Sequence, residues 1–183
     1  MIRQRFTSAR QVFEAFETAQ EDIEAQPSED EPTAYIRHLL ASKPPEATIS
    51  FCASLLPRRE AVWWACQTIR ENGPPDSPEL LAIAEEWVRV PEEPNRRAAL
   101  TAANAAKVKG PCAWAAYGAA WSGGSMTESD QQPVRPPAYL TAKAVRAGVL
   151  TVLANAMPKQ RLQRLTSATE TAIELLNAGT ARP

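Results

Sequence analysis

Residues 55–73 read LLPRREAVWWACQTIRENG, and how this run is folded decides how the rest is read. Pro57 suits a first helical turn, where a missing N–H costs nothing and the fixed φ is already helical. Gly73 followed by Pro74-Pro75 stops the helix. At about 100° per residue, Leu55, Val62, Ala65, Cys66 and Ile69 share one apolar stripe. Trp63 borders that stripe, and Trp64 falls a further ~100° round, toward Glu60, Gln67 and Glu71. One face cannot bury both rings. Either neighbouring helices sandwich this one, the usual fate of large aromatics, or one indole stays at the surface as a partner anchor, with Trp64 the candidate.

Arg58 and Arg59 are out of place in a first turn, where free N–H groups and the helix dipole favour anions. Two readings follow. Neighbouring carboxylates hold them as structural ion pairs, or arginines and N–H groups together take an external phosphate, carboxylate or acidic partner. The motif recurs. Pro94-Asn95-Arg96-Arg97 and Pro158-Lys159-Gln160-Arg161 also place cations after a proline. If these starts share one end of the fold, Arg58, Arg59, Arg96, Arg97 and Arg161 form a basic patch. The spacing of the first two also suits a helical-hairpin repeat, which the third does not continue.

Outward from this stretch every periodic segment has the helical period and no alternating run reads as a strand. The expectation is all-α: a single compact bundle of about nine short helices spanning 1–183, with a repeat-like array as the alternative. Ser8 and Gln11 fit a capping box for the first helix. Residues 21–32 read as an acidic linker. Ser77-Pro78-Glu79 opens a helix whose Leu80, Ile83, Ala84, Trp87 and Val88 follow the amphipathic template. Asn95 caps an alanine-rich helix to about Lys109. In the next one Trp114, Tyr117 and Trp121 share a face, either as plain core or as the wall of a ligand pocket. Residues 122–137 form a long connection expected to be mobile. A long helix near 137–156, apolar nearly all round in its second half, belongs in the core. The last helix points Leu162, Leu165, Thr169, Ala172, Ile173 and Leu176 inward.

At 183 residues the chain is long enough for one domain with a real core. A net charge of −1 gives no bulk attraction to nucleic acid or anionic membrane. Between Gln11 and Ile36 lie eight acidic residues and no Lys or Arg, whereas from Arg135 onward seven Lys or Arg face two Glu. The two regions are expected to attract one another within the fold. Cys52, Cys66 and Cys112, odd in number and in apolar helical contexts, read as reduced core thiols of a cytoplasmic protein. No signal peptide or membrane span is expected.

The chemistry of catalysis is sparse. One histidine, His38, has no second histidine or close cysteine pair for a zinc site. There is no nucleophile elbow, Walker loop or dinucleotide fingerprint. No catalytic residue, metal or cofactor is expected.

The run Leu56-Pro57-Arg58-Arg59-Glu60-Ala61-Val62-Trp63-Trp64-Ala65-Cys66, with Ala120-Trp121-Ser122-Gly123-Gly124-Ser125 and Pro136-Pro137, resembles the signature of an uncharacterised family of small bacterial all-helical proteins. The resemblance spans most of the chain and implies an accessory, adaptor or chaperone-like role beside type VI secretion genes, with no catalytic residues to carry over. Two function classes remain. One is a non-catalytic protein-interaction module with a protein partner at Arg58, Arg59, Trp64, Arg96 and Arg97. The other is a binder of a small ligand or anion, or an enzyme, using the arginines and the Trp114–Tyr117–Trp121 wall.

Overall fold

Proline sets where the helices begin. Pro32, Pro45, Pro78, Pro94 and Pro111 occupy the first or second helical position of their helices, where no N–H is needed. The computed structural model describes residues 5–127 and 132–180. The order is α1 (Ala9–Ala15), α2 (Ala19–Ile23), α3 (Pro32–Ser42), α4 (Pro45–Leu55), α5 (Arg58–Glu71), α6 (Pro78–Arg89), α7 (Glu93–Ala105), α8 (Pro111–Ala120), α9 (Leu140–Ala154) and α10 (Pro158–Thr180). The fold is all-α, with ten helices and no strand among the described residues.

The centre is the pair α8–α9. Every residue of α8 except Trp114 is buried, because α5, α6, α7 and α9 all pack on it. A helix of alanines is thin enough to be surrounded, and glycine brings the pair closer still. A Cβ on Gly148 would sit 3.2 Å from the Pro111 carbonyl oxygen and 3.3 Å from Trp114 Cβ. Helix α9 also packs on α4, α5 and α10, and α10 returns to α4. These non-sequential contacts make a closed bundle. A repeat array, in which each unit touches only its neighbours, is not what forms.

The chain's charge asymmetry is used internally. Asp22 on α2 lies 3.2 Å from Lys143 and 3.7 Å from Arg146 on α9, and Glu46 on α4 pairs with Arg161 on α10 at 2.7 Å. Residues 21–32 begin inside α2, bury Ile23 and Ala25, and pass over the start of α1. There the Asp30 and Ser28 carbonyls accept from Ala9 and Arg10 N–H. An aromatic cluster of Phe13, Tyr35 and Phe51 joins α1, α3 and α4.

Several local expectations shift. Gln11 reaches back to the Thr7 N–H at 2.8 Å, and Ser8 caps nothing with its side chain. On α6 the fully buried stripe is Leu81, Ala84 and Trp87, while Leu80, Ile83 and Val88 are only partly covered. Helix α7 ends at Ala105. Lys109 folds back to donate to the Ala103 and Ala106 carbonyls, at 2.6 and 2.7 Å, as a cation at a helix C-terminus should. On α10 Leu165, Thr169 and Ala172 point inward as expected, but Leu162 is exposed.

Candidate functional site

Four of the five singled-out arginines have one kind of partner, the carbonyls at or just past the end of a neighbouring helix. From α5, Arg58 Nη1 donates to the Ser122 carbonyl at 2.5 Å. From α7, Arg96 Nη1 donates to the Ala120 carbonyl at 2.7 Å and the Ser125 carbonyl at 3.1 Å. Arg97 Nη1 donates to the Thr127 carbonyl at 2.6 Å. These three grip the C-terminus of α8 and the turn after it. Arg59 Nε donates to the Val88 carbonyl in the last turn of α6, at 2.6 Å. Arg59 and Arg96, which look misplaced at the start of their own helices, therefore sit where the dipole of an adjacent helix favours them.

Arg96 is the most enclosed, at 3% exposure. Its guanidinium also makes a two-pronged pair with Glu93, at 2.6 and 2.7 Å, and Arg97 shares that carboxylate at 2.9 Å. Hydrogen bonds from Arg96 and then Arg97 hold the Glu93 carboxyl down at about 2. Gly124, at φ +61°, lies against the Arg96 guanidinium, and any Cβ there would come within 2.7 Å of it. Gly124 is thus required by a buried cation, whereas a Cβ on Gly123 would meet nothing within 4 Å. Arg58, Arg96 and Arg97 each donate to a carbonyl and Arg161 pairs with Glu46, so none of these four stands unpaired. The turn is further tied by Ser125 Oγ, which accepts from the N–H groups of Thr127 and Val134 at 3.1 and 3.0 Å. The centre of the connection expected to be mobile, residues 128–131, lies outside the described residues.

The tryptophan pair is resolved in the opposite sense to the helical-wheel expectation. Trp64 is fully buried, and its indole Nε1 donates to the Ala168 carbonyl of α10 at 2.8 Å. It is no surface anchor. Trp63 is the exposed ring, at 36%. Its neighbours Ala61, Ala65, Cys66 and Ile69 are buried, so α5 is covered over more than half its circumference, and Arg59, Trp63 and Arg70 face out along one edge, with Glu71 exposed at the helix end.

Trp114, Tyr117 and Trp121 do stack into a wall, with Tyr117 and Trp121 4.6 Å apart between ring centroids and Trp114 and Tyr117 5.7 Å apart. The wall faces α7. Tyr117 Oη donates to Asn104 Oδ1 at 3.1 Å and Lys109 Nζ stands 5.4 Å from the Tyr117 ring. Gly118 faces away from it, toward Val62 and Val145.

An open concavity lies beside Trp63. A groove of about 770 Å³ runs between α5, α6 and the C-terminal part of α10, lined by Trp63, Ala82, Val88, Leu175 and Ala178. Its ionic rim is largely paired already. Arg70 holds Glu85 through two bonds of 2.5 and 2.7 Å, Arg89 pairs with Glu86, and Arg59 is on the Val88 carbonyl. What the groove offers is apolar surface. Of its lining only Arg59 was a sequence candidate. Trp63 borders the apolar stripe of its own helix and so carries no local mark of exposure, and Leu175 and Ala178 reach the groove through tertiary packing that no local pattern announces.

The other chemistry is inert. Burial pushes the Cys52 and Cys112 thiols up to about 12 and raises Cys66 as well. His38 is exposed and stacks on Tyr35. Among the described residues no group of three or more His, Cys, Asp or Glu could hold a metal ion, and no helix is long and apolar enough to cross a membrane.

No curated protein and no solved structure matches this chain. A family model does, over residues 35–176, from α3 into the last turns of α10 and across both the arginine-held turn and the Trp63 groove, so the chain belongs to the family of unknown function DUF6931.

Proposed function

We propose that this protein is a non-catalytic interaction module that docks an apolar segment of a partner protein in the groove beside Trp63. One observation carries the reading: a large ring, 36% exposed, stands on α5 next to a largely apolar groove whose carboxylates Glu85 and Glu86 are already paired with Arg70 and Arg89. A partner entering it covers apolar surface without having to separate free charges from water, and a Trp flanked by Arg59 is the composition of an interface hot spot. An amphipathic helix suits a trough bounded by two helices. An adaptor or chaperone-like role beside a bacterial secretion system rests on the resemblance of the signature stretches alone.

The test is quantitative co-purification from the native host with wild type, Trp63→Ser and Ala82→Arg. The expected result is a partner lost with both variants, while Ala82→Arg melts close to wild type and Trp63→Ser melts no more than about 2–8 °C lower, the loss of its covered ring surface. The same set of bound proteins with all three chains refutes the proposal. A second reading has one observation in its favour. The groove volume lies within the range of ~300–1,000 Å³ usual for small-molecule sites. An apolar small molecule that stabilises the wild type and not Ala82→Arg, with no protein partner found, selects that reading.

A further inference from the structure

The starts of α5 and α9 meet at a small cleft that holds two arginines. Arg5, Phe16, Leu56, Arg58 and Thr141 line it, and no acidic side chain does. Arg58 opens α5, and Thr141 is the second residue of α9. Neither helix start is capped by a side chain, so each keeps unsatisfied N–H groups and a partial positive charge. Thr141 is 2% exposed, and its hydroxyl has no hydrogen-bond partner. A buried hydroxyl left this way lowers stability unless something meets it. Arg5 is unpaired as well. Its guanidinium stands 4.8 Å over the Phe6 ring and 5.1 Å over the Phe16 ring, and it makes no hydrogen bond or ion pair with the described residues. Arg58 gives one donor to the Ser122 carbonyl and pairs with no carboxylate. Partial burial, and after it the charge of Arg58, lower the Arg5 guanidinium from its ordinary value. Two like charges are brought together with no opposite charge lining the space.

The end of α4 also borders the cleft, at Ser54, but its carbonyls accept from neither guanidinium. A single water satisfies Thr141 and leaves both charges as they are. An anion answers all three groups. The free space, about 10 Å³, takes one oxygen rather than a whole molecule, so the rest of the anion stays at the mouth, where Arg5 is exposed. A tetrahedral group suits that division: one oxygen goes in to Thr141, and three remain for the two guanidiniums. A carboxylate with one oxygen inside keeps a single oxygen for both, and its one charge balances only one arginine. We propose that Arg5, Arg58 and Thr141, at the joined starts of α5 and α9, bind the doubly charged phosphate group of free phosphate or of a phosphomonoester. The cleft shares no lining residue with the Trp63 groove, so mutation separates the two sites.

The test titrates inorganic phosphate, glycerol phosphate and acetate into the nitrogen-15-labelled full chain at about pH 8, where the phosphate group is doubly charged. Sodium chloride holds the ionic strength constant. The expected result is a saturable shift of the Arg58 and Thr141 amide signals with a phosphate probe and a much weaker one with acetate. Tighter binding of inorganic phosphate names the free ion as the ligand, and tighter binding of glycerol phosphate names the ester. Arg5→Gln and, separately, Thr141→Val weaken binding by about tenfold or more, the worth of a charge-assisted hydrogen bond. Thr141→Val without ligand melts at or above wild type, since it removes a buried hydroxyl that had no partner. Trp63→Ser leaves phosphate binding unchanged. Any of three results overturns the proposal: no saturable shift of these signals with either phosphate probe, acetate binding as tightly as phosphate, or wild-type affinity in Arg5→Gln or Thr141→Val.

Discussion

The two adjacent tryptophans make opposite claims on stability, and their substitution separates packing from surface. Trp64 is fully enclosed, and its indole is hydrogen-bonded to the Ala168 carbonyl at 2.8 Å, which ties α5 to α10. Trp64→Ala removes the buried ring, leaves a cavity between α5 and α10 and cuts the link, for a loss of about 3–5 kcal/mol. In a chain of this length ~1 kcal/mol corresponds to ~2–4 °C, so the melting temperature should fall by about 6–20 °C. Trp64→Phe keeps most of the ring and loses the hydrogen bond, worth about 0.5–1.5 kcal/mol, plus the unfilled edge of the cavity. Trp63 is 36% exposed on an open groove, so its removal encloses no cavity and only the transfer of its covered part is lost, about 1–2 kcal/mol. Urea and thermal unfolding of the three variants measure these differences, with an unchanged denaturant slope showing that the unfolded reference is the same. Acrylamide should quench the emission that Trp63→Ala removes and spare the emission that Trp64→Phe removes. If Trp63→Ala destabilises as much as Trp64→Ala, or if Trp64 is the quenched ring, the assignment of inside and outside on α5 is wrong.

Trp87, also buried, should behave like Trp64, with Trp87→Ala costing about 3–5 kcal/mol in the same unfolding assays. Arg96→Met removes donors from the Ala120 and Ser125 carbonyls and should cost about 1.5–3 kcal/mol, whereas Arg97→Ala, at a half-open site, should cost under about 1 kcal/mol. The Glu93 carboxyl is depressed in the folded chain to about 2 from an ordinary 4.5, so its stabilising effect is full above about 4.5 and fades as pH falls toward 2. The stability gap between wild type and Glu93→Gln should close over that window. Solvent screening of this half-exposed group keeps the gap small, and salt should shrink it further. The three cysteines should resist a thiol reagent at neutral pH in the native state and all react once urea unfolds the chain, since the thiols are buried and their ionisation is suppressed.

Helix identity was legible wherever proline and periodicity agreed, as at Pro78 with Trp87 and at Pro111 with α8. What a helix touches was legible only in part. The buried Arg96 heads a stripe with Ala99, Leu100 and Ala103, at i+3, i+4 and i+7, and all three are buried. That spacing marks it as inward-facing, but the arginine's charge argued for the surface. Trp64 carries Ala61 at i−3 and Thr68 at i+4, both buried, and small residues around a large ring are the trace of a close helix contact. The nearby Glu60, Gln67 and Glu71 obscured it. The partners of the arginines could not be read at all. Backbone carbonyls have no sequence letter, and Arg58 meets Ser122 across 64 positions. The Trp63 groove was hidden for a related reason, since it exists only once α10 returns to lie beside α5 and α6.

The grip of Arg58, Arg96 and Arg97 on the end of α8 also bears on how the molecule breathes. A helix end normally frays on its own, one turn at a time. Here the last carbonyl of α8, that of Ala120, and the turn beyond are held by side chains rooted near the starts of α5 and α7. That end cannot loosen without freeing the beginnings of two other helices. Amide protons of the final turn of α8 should therefore exchange with solvent at the same slow rate as those of the starts of α5 and α7, through one shared opening.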